Sequence, residues 1–175
     1  SKSYDEVLEM AKNKSQMMAC LPAIMPIKNG VDKICSGFGY RLHPIYKTLH
    51  LHTGIDIISP RGTPVYATGD GVVSTPSGNS LTGYGINVVI NHGYGYQTLF
   101  GHLSKKFVTE GQKIKRGQLI GYVGSTGMST APHLHYEVWK SGTKINPVNY
   151  FYNDLSSEEY EKVIELSSKI TQSLS

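Results

Sequence analysis

Residues 52–74 read HTGIDIISPRGTPVYATGDGVVS, a stretch in which short β-branched runs alternate with Gly, Pro and Ser. Three strands are predicted here, at Ile55–Ile58, Pro64–Thr68 and Gly71–Ser74, because β-branched and aromatic side chains favour extended backbone and Gly and Pro favour turns. Strands that follow one another this closely are typical of antiparallel sheets folded on one another. The stretch therefore predicts a mainly β fold.

The same alternation of short apolar runs with Gly, Pro, Asn and Ser extends in both directions, from about Cys35 to Trp139. Four more strands are predicted, at Ile86–Asn91, Tyr96–Phe100, Leu119–Val123 and His133–Trp139. Residues 61–73 and 110–121 share one order of features: a Gly turn, a β-branched residue, a second Gly turn and an apolar pair. This echo indicates a duplicated β-unit rather than a long repeat array.

Helices are predicted on both sides of the β region. Residues 3–20 carry apolar residues at helical spacing, and Pro22 and Pro26 then break the helix. The sequence from Ser156 to Glu159 has the form of a capping box and begins a second helix. The apolar side of that helix is predicted to contain Tyr160, Val163, Ile164, Leu166, Ile170 and Leu174.

The 175 residues suit one domain of ordinary size, and 39% apolar residues are enough for a core. We divide the chain into an N-terminal helix with a Pro-containing linker (1–30), a main β domain (31–148) and a C-terminal helix that packs on it (149–175). The formal net charge of +4 favours either an anionic partner such as wall polymer or simple solubility. The basic residues form no run with interleaved aromatics, so no nucleic-acid partner is predicted.

Cys20 and Cys35 are the two cysteines, and they form no C-x-x-C motif, so neither a thiolate zinc site nor a redox motif is predicted. Their spacing leaves open whether they pair. No run of ~18 apolar residues occurs and no secretory signal is present, so no membrane-spanning segment is predicted. The start at Ser1 without Met is typical of a processed or trimmed chain, which leaves room for a signal or membrane anchor in a precursor.

Two histidine motifs point to metal chemistry. His133 and His135 lie two apart in a run that alternates like a strand, so both imidazoles face one side. Such a pair suits a divalent transition metal, or one ligand beside one acid/base group. His52 and Asp56 are four apart, which also places them on one face of a strand, and Gly54 between them leaves room for something to approach.

Together, His52, Asp56 and one histidine of the H-L-H pair supply two nitrogens and one oxygen. This is the three-ligand set of a catalytic zinc ion, with water as the fourth ligand. The helix motif H-E-x-x-H is absent, so the proton shuttle must come from elsewhere. The spare histidine of the pair and His102 are candidates, and Glu137, on the same strand face, competes with them.

At these residues the sequence resembles the lysostaphin/LytM-type zinc metallopeptidases, over roughly residues 37–147. The resemblance implies zinc held by His52, Asp56 and His135, with His102 and His133 as catalytic histidines and Tyr46 helping to hold the oxyanion. It also implies a compact antiparallel β sandwich with a central groove. Members of the family cut peptide stems or cross-bridges of peptidoglycan. Four blocks carry the match: GYRLHP at 39–44, HTGID at 52–56, GHLS at 101–104 and GSTGMSTAPHLH at 124–135.

Within the matching blocks, Arg41, Ser129 and Thr130 are candidate substrate-binding residues. Three positions depart from the family pattern, and they are expected to alter the groove rather than the metal site: Phe100, Met128 and Ala131. His43 and His50 are interpreted as structural, although His50 forms a second H-x-H with His52 and is an alternative ligand or groove residue.

We therefore predict a zinc metalloendopeptidase that hydrolyses peptidoglycan in the cell envelope, in a periplasmic or extracellular location. The flanking helices are a candidate contact surface for an envelope protein. The alternative is a non-catalytic wall-binding or amidase-activating module on the same fold, which retention of every ligand disfavours. Lipoyl-type and phosphohistidine carrier domains are weaker rivals, because the chain has no Met-Lys-Met motif and a phosphocarrier does not need Asp56.

Overall fold

The computed structural model describes residues 3–74, 83–153, 155–169 and 174. Two helices flank twelve strands within these residues: α1 (Tyr4–Cys20), β1 (Ile34–Ser36), β2 (Gly39–Leu42), β3 (Leu49–His52), β4 (Ile55–Ile58), β5 (Pro64–Tyr66), β6 (Gly71–Ser74), β7 (Ile86–Gly93), β8 (Tyr96–Lys106), β9 (Lys113–Ile114), β10 (Leu119–Val123), β11 (His133–Lys140), β12 (Thr143–Ile145) and α2 (Ser157–Ser168). Short 3-10 helices lie at Val31–Lys33 and Pro147–Tyr150.

All the strand pairs are antiparallel, which confirms the predicted fold class. The main sheet has the order β1-β4-β11-β8-β7-β6-β9, with β12 beside β11. Strand β10 joins it by pairing with β5 on one side and β8 on the other, whereas β2 and β3 form a separate hairpin. The central strands β4, β11 and β8 lie side by side and carry Asp56, the His133–His135 pair and His102, whereas His52 ends β3 of the separate hairpin.

Strand β8 is longer than the sequence predicts. The prediction ended it at Phe100, but it continues to Lys106 because its second half pairs with β10, with Gly121 opposite Lys106 and Val123 opposite Leu103. Ser104 and two lysines in this half resemble a solvated loop in sequence. Their pairing with β10 is a long-range contact that local composition does not signal.

Strand β11 shows how one strand both anchors the fold and presents the site. Leu134, Tyr136 and Val138 point into the apolar core and are completely buried. Each such side chain contributes roughly 1.5–3 kcal/mol by leaving water. The intervening residues, His133 and His135 among them, face the opposite side of the sheet, as the two-residue period of a strand requires.

The two helices are attached differently. Helix α1 has no buried residue, and it is held at its end by the Arg116 guanidinium, whose Nη2 donates to the Met18 carbonyl (2.6 Å) and the Leu21 carbonyl (2.7 Å). Helix α2 begins with the predicted capping box at Ser156 and packs on β1, burying Val163. No helix in the described part of the chain has the length and apolar character needed to cross a membrane.

The predicted extent of α2 is wrong at its end. The helix ends at Ser168, and the next residue, Lys169, is extended. The Ser167 carbonyl accepts a 2.6 Å hydrogen bond from Arg41 Nη2 rather than continuing the helix. Leu174 therefore lies outside the helix to which its apolar spacing assigned it, and Ile170 falls outside the described residues.

Gly54 is required by the close approach of β11. A Cβ atom at Gly54 would stand 2.2 Å from the Tyr136 carbonyl oxygen and 2.9 Å from Glu137 Cγ. We expect Gly54→Ala to lower the free energy of unfolding by about 1–3 kcal/mol, because packed backbone must move to accept the methyl group. Chemical denaturation measures this. Gly101→Ala is the control, since its Cβ would meet nothing closer than 3.5 Å; equal stability of the two variants would contradict the prediction.

Candidate metal centre

Three side chains with metal-binding atoms converge on the side of the central strands that faces away from the apolar core. The ligand atoms of His52, Asp56 and His135 lie within 4.8 Å of one another, and all three residues are buried. Asp56 Oδ1 lies 3.1 Å from His52 Nε2 and 2.9 Å from His135 Nδ1. The pairing of β4 with β11 places Asp56 directly opposite His135, and the end of β3 brings in His52. The three predicted ligands are therefore together.

Both candidate ligand histidines, His52 and His135, are oriented by a hydrogen bond from their other ring nitrogen. His52 Nδ1 donates to the Gly37 carbonyl at 2.8 Å, which leaves Nε2 directed at Asp56. His135 Nε2 bonds to Glu137 Oε2 at 2.8 Å, which leaves Nδ1 directed at Asp56. Such partners fix the tautomer and the ring orientation of metal-binding histidines.

Glu137 is a buried acceptor at the centre of a hydrogen-bond network. Its Oε2 accepts from Thr53 Oγ1 and Tyr84 OH, each at 2.7 Å, as well as from His135. Its Oε1 accepts from Trp139 Nε1 at 2.6 Å. Burial alone would raise the pKa of Glu137, but these hydrogen bonds outweigh it and lower the pKa to about 2. With its lone pairs engaged, Glu137 suits an orienting role better than that of a general base.

We expect Glu137→Gln to weaken zinc binding by about 10–100-fold, because the neutral amide holds and polarises His135 less well. Competition against a chromogenic chelator measures the change. Thr53→Val is the matched control, since it removes one donor from the same carboxylate oxygen but keeps the charge, and it should cost much less affinity. Unfolding measured in excess chelator separates lost folding stability from lost metal affinity. Unchanged zinc affinity in the Gln variant would rule out the orienting role.

His102 and His133 lie beside the three candidate ligands, and each is held by a main-chain carbonyl. Their Nδ1 atoms donate to main-chain carbonyls, those of Thr126 at 2.6 Å and Ala131 at 2.7 Å. Their Nε2 atoms are buried and make no hydrogen bond within the described residues. The two rings are 4.8 Å apart, and His133 Nε2 lies 3.5 Å from Asp56 Oδ1. Each histidine therefore turns a free acceptor nitrogen toward the metal centre.

Burial keeps both of these histidines neutral. It lowers the pKa of His133, and it lowers the pKa of His102 to about 3, with the neighbouring histidines lowering it further. A neutral imidazole with Nδ1 protonated has an Nε2 lone pair that can take a proton. The pair is thus suited to general-base chemistry at the centre.

The centre also uses Tyr84 and Thr126 in roles that the sequence did not indicate. The Tyr84 ring stacks on His135 with centroids 5.7 Å apart, and its carbonyl accepts the His102 backbone N–H at 2.7 Å. That bond helps to hold His102 in the left-handed region, at φ 60°, a conformation that non-glycine residues keep only where their surroundings impose it. Both residues lie in loops, where no periodicity marks a functional position.

A cleft opens above the centre, and Met128, as predicted, contributes to its wall together with Tyr84, His43 and His50. Tyr46 is 60% exposed and stacks on His43 at 4.6 Å, at the rim of the cleft. Its part in holding an oxyanion stays a prediction.

The predicted substrate-binding residues do not lie together. Arg41 is buried, and its guanidinium donates to the Tyr40 and Ser167 carbonyls. This arrangement argues against a substrate-binding role for Arg41, because its guanidinium is engaged in holding the end of α2. Ser129 Oγ donates to the Ala131 carbonyl at 2.9 Å, beside His133, and Thr130 follows in the same loop.

The donor set fits a divalent metal ion, and zinc above others. Two imidazole nitrogens and one carboxylate oxygen form the usual set of an open zinc site. Neither Cys20 nor Cys35 belongs to the group of ligand atoms found among the described residues. Burial lowers the pKa of His135, but hydrogen bonds to Asp56 and Glu137 raise it more, to about 9. A proton held there competes with a metal for the same nitrogen.

Residues 50–147 match the model of peptidase family M23. The chain is 50% identical over 117 residues to DD-carboxypeptidase/endopeptidase Mpg of Neisseria meningitidis, covering 67% of this chain and 26% of that protein. It is 49% identical over 106 residues to peptidoglycan DD-endopeptidase ShyA of Vibrio cholerae, covering 61% and 24% respectively. The chain thus spans about a quarter of the length of these relatives.

Solved structures of peptidases are also similar to this chain. A zinc-containing peptidase from Vibrio cholerae superposes with a TM-score of 0.63 and 38% identity, over 70% of this chain and 38% of that one. The catalytic domain of lysostaphin from Staphylococcus simulans superposes with a TM-score of 0.59 and 34% identity, over 69% of this chain and 93% of that one.

Proposed function

Because this chain belongs to peptidase family M23, we propose that it is a zinc metalloendopeptidase that hydrolyses peptide cross-links of bacterial peptidoglycan in the cell envelope. The observation that carries the proposal is the convergence of two oriented histidines and Asp56, beside which His102 and His133 turn free nitrogens inward. The names of two relatives, a DD-carboxypeptidase/endopeptidase and a peptidoglycan DD-endopeptidase, favour a bond between D-residues as the target.

The proposed chemistry divides between the metal and the protein. His52, Asp56 and His135 would hold a single zinc ion with water as its fourth ligand, and the ion would supply Lewis acidity that lowers the pKa of that water to about 7 and polarises a carbonyl. His133 Nε2, the nearer of the two free nitrogens to Asp56, takes a proton from the attacking water. Once protonated, it becomes a donor that can pass the proton to the leaving amine.

His102 has the complementary task. Its Nε2 faces the same space from β8, and the resting ring is neutral. The proton that zinc-bound water would give up on becoming hydroxide would, when taken up at this Nε2, make it a hydrogen-bond donor for the negative charge on the carbonyl oxygen. The hydrogen bonds from both Nδ1 atoms to main-chain carbonyls keep the two rings from turning during the reaction. Roles could exchange between the two histidines without changing the number of protons moved.

The test is digestion of purified sacculi that contain D-alanyl–diaminopimelate cross-links, and of walls with glycine bridges, followed by mass spectrometry of the muropeptides. Release of monomers from cross-linked dimers in the first wall, its loss with chelator and its return with zinc are the expected results. If only the glycine-bridged wall released products, the scissile bond would lie in the glycine bridge, and the proposed target between D-residues would be wrong. Stoichiometric zinc with no cleavage of either wall would instead favour a non-catalytic wall-binding module.

A further inference from the structure

Leu174 lies against the metal centre although it is far from it in sequence. Its backbone N–H donates to Asp56 Oδ2 at 2.9 Å. Its carbonyl accepts from the Thr130 backbone N–H at 3.1 Å and from Thr130 Oγ1 at 3.4 Å. Both backbone polar groups of this one residue are therefore paired with residues of the site.

Asp56 and Thr130 together form a binding site for the backbone of one residue, since Asp56 accepts its N–H and Thr130 donates to its carbonyl. The two carboxylate oxygens of Asp56 have different partners: Oδ1 faces His52 and His135, whereas Oδ2 accepts the Leu174 N–H. A donor and an acceptor that pair the C=O and N–H of one residue are the means by which proteins bind extended peptides without reading the side chains. Any extended peptide with those two groups can satisfy the same partners.

The chain leading to Leu174 is anchored nearby. Helix α2 ends at Ser168, and Arg41 holds the preceding carbonyl, that of Ser167. Leu174 lies six positions after Ser168, a tether that spans at most ~20 Å. A short tether gives Leu174 an effective concentration in the millimolar range at Asp56 and Thr130. A competing peptide at lower concentration would therefore find these partners already bound to Leu174.

We propose that Asp56 Oδ2 and Thr130 form a backbone-binding subsite for the peptide substrate, and that Leu174 fills it as an internal pseudosubstrate. The inference rests on the proposed peptidase function. Substrate must then displace Leu174 before it can bind, which raises KM and leaves the chemical step unchanged. Arg41 contributes to this occupancy by fixing where the tether begins.

The test compares Leu174→Pro, which deletes the N–H donated to Asp56, with Leu174→Ala, which keeps both backbone groups. In the zinc-loaded full chain, Leu174→Pro should raise kcat/KM on muropeptide dimers on the order of 3–10-fold, through KM, because the fraction of open sites increases. Leu174→Ala should stay closer to the wild type. A Pro variant with the wild-type KM, or a higher one, would overturn the proposal.

Hydrogen exchange at the Thr130 amide reports docking without any need for turnover. Protection should be lost in the Pro variant and largely kept in the Ala variant. If no protein cleaves wall while Thr130 loses protection in the Pro variant alone, the docking stands and the peptidase function fails. Equal protection in all three proteins overturns the docking, whatever the cleavage rates are.

Discussion

His135→Ala is expected to abolish stoichiometric zinc binding and to lower peptide hydrolysis by about 10³–10⁴-fold, since the metal contributes several kcal/mol to the transition state. The residue occupies the middle of the site, with Nδ1 on Asp56 and Nε2 on Glu137. Its loss removes one of three ligands and leaves the two buried carboxylates without the imidazole that links them. Metal analysis of the purified protein and turnover of muropeptide dimers measure the two effects.

The control is His50→Ala, because His50 belongs to the other H-x-H motif and is an alternative ligand by sequence. In the structure it is exposed and hydrogen-bonded to Thr48 Oγ1 at 2.7 Å, so its variant should keep one zinc ion. Zinc retained by the His135 variant and lost by the His50 variant would reverse the ligand assignment. Variants of His52 and Asp56 should behave as His135→Ala does.

The grouping of the candidate ligands could be predicted only in part from local geometry. The even spacing of His133 and His135 correctly predicted that both side chains lie on one face of a strand. The same argument was wrong for His52 and Asp56, because His52 ends β3 whereas Asp56 lies in β4. The fold class is predictable for a similar reason, since closely spaced apolar runs leave little choice but antiparallel pairing. The strand register that sets Asp56 opposite His135 follows from neither, and only the family resemblance selected His135 over His133.

Contacts made by loops could not be predicted. Tyr84 joins His102 to the metal centre from a segment without periodicity, and Leu174 meets Asp56 across 118 positions of sequence. The apolar spacing beyond Ser168 predicted a longer helix, and the site instead receives the backbone of a residue from that run. Glu137 was an intermediate case: alternation gave its face correctly, but its role depends on donors from Thr53, Tyr84 and Trp139.

Replacing His102 or His133 by Ala should lower kcat by on the order of 10²–10⁴-fold while zinc remains bound. Neither residue belongs to the group of three ligands, and each offers its Nε2 lone pair to the space beside Asp56. Loss of either removes a proton carrier or a donor to the developing charge, but no metal ligand. Turnover normalised to bound zinc is the measurement, and loss of zinc in either variant would make that histidine a ligand instead.

The double variant decides whether the two histidines act on one step. If one moves the proton and the other stabilises the charge that this transfer creates, the double variant should be little slower than the worse single variant, because groups that act as a unit are not additive. His92→Gln is the matched control, a buried histidine whose two nitrogens bond to the Asp70 carbonyl and Thr98 Oγ1. It should lose stability and keep its kcat per zinc, so a comparable fall in kcat there would attribute the effect to damaged packing rather than to lost proton transfer.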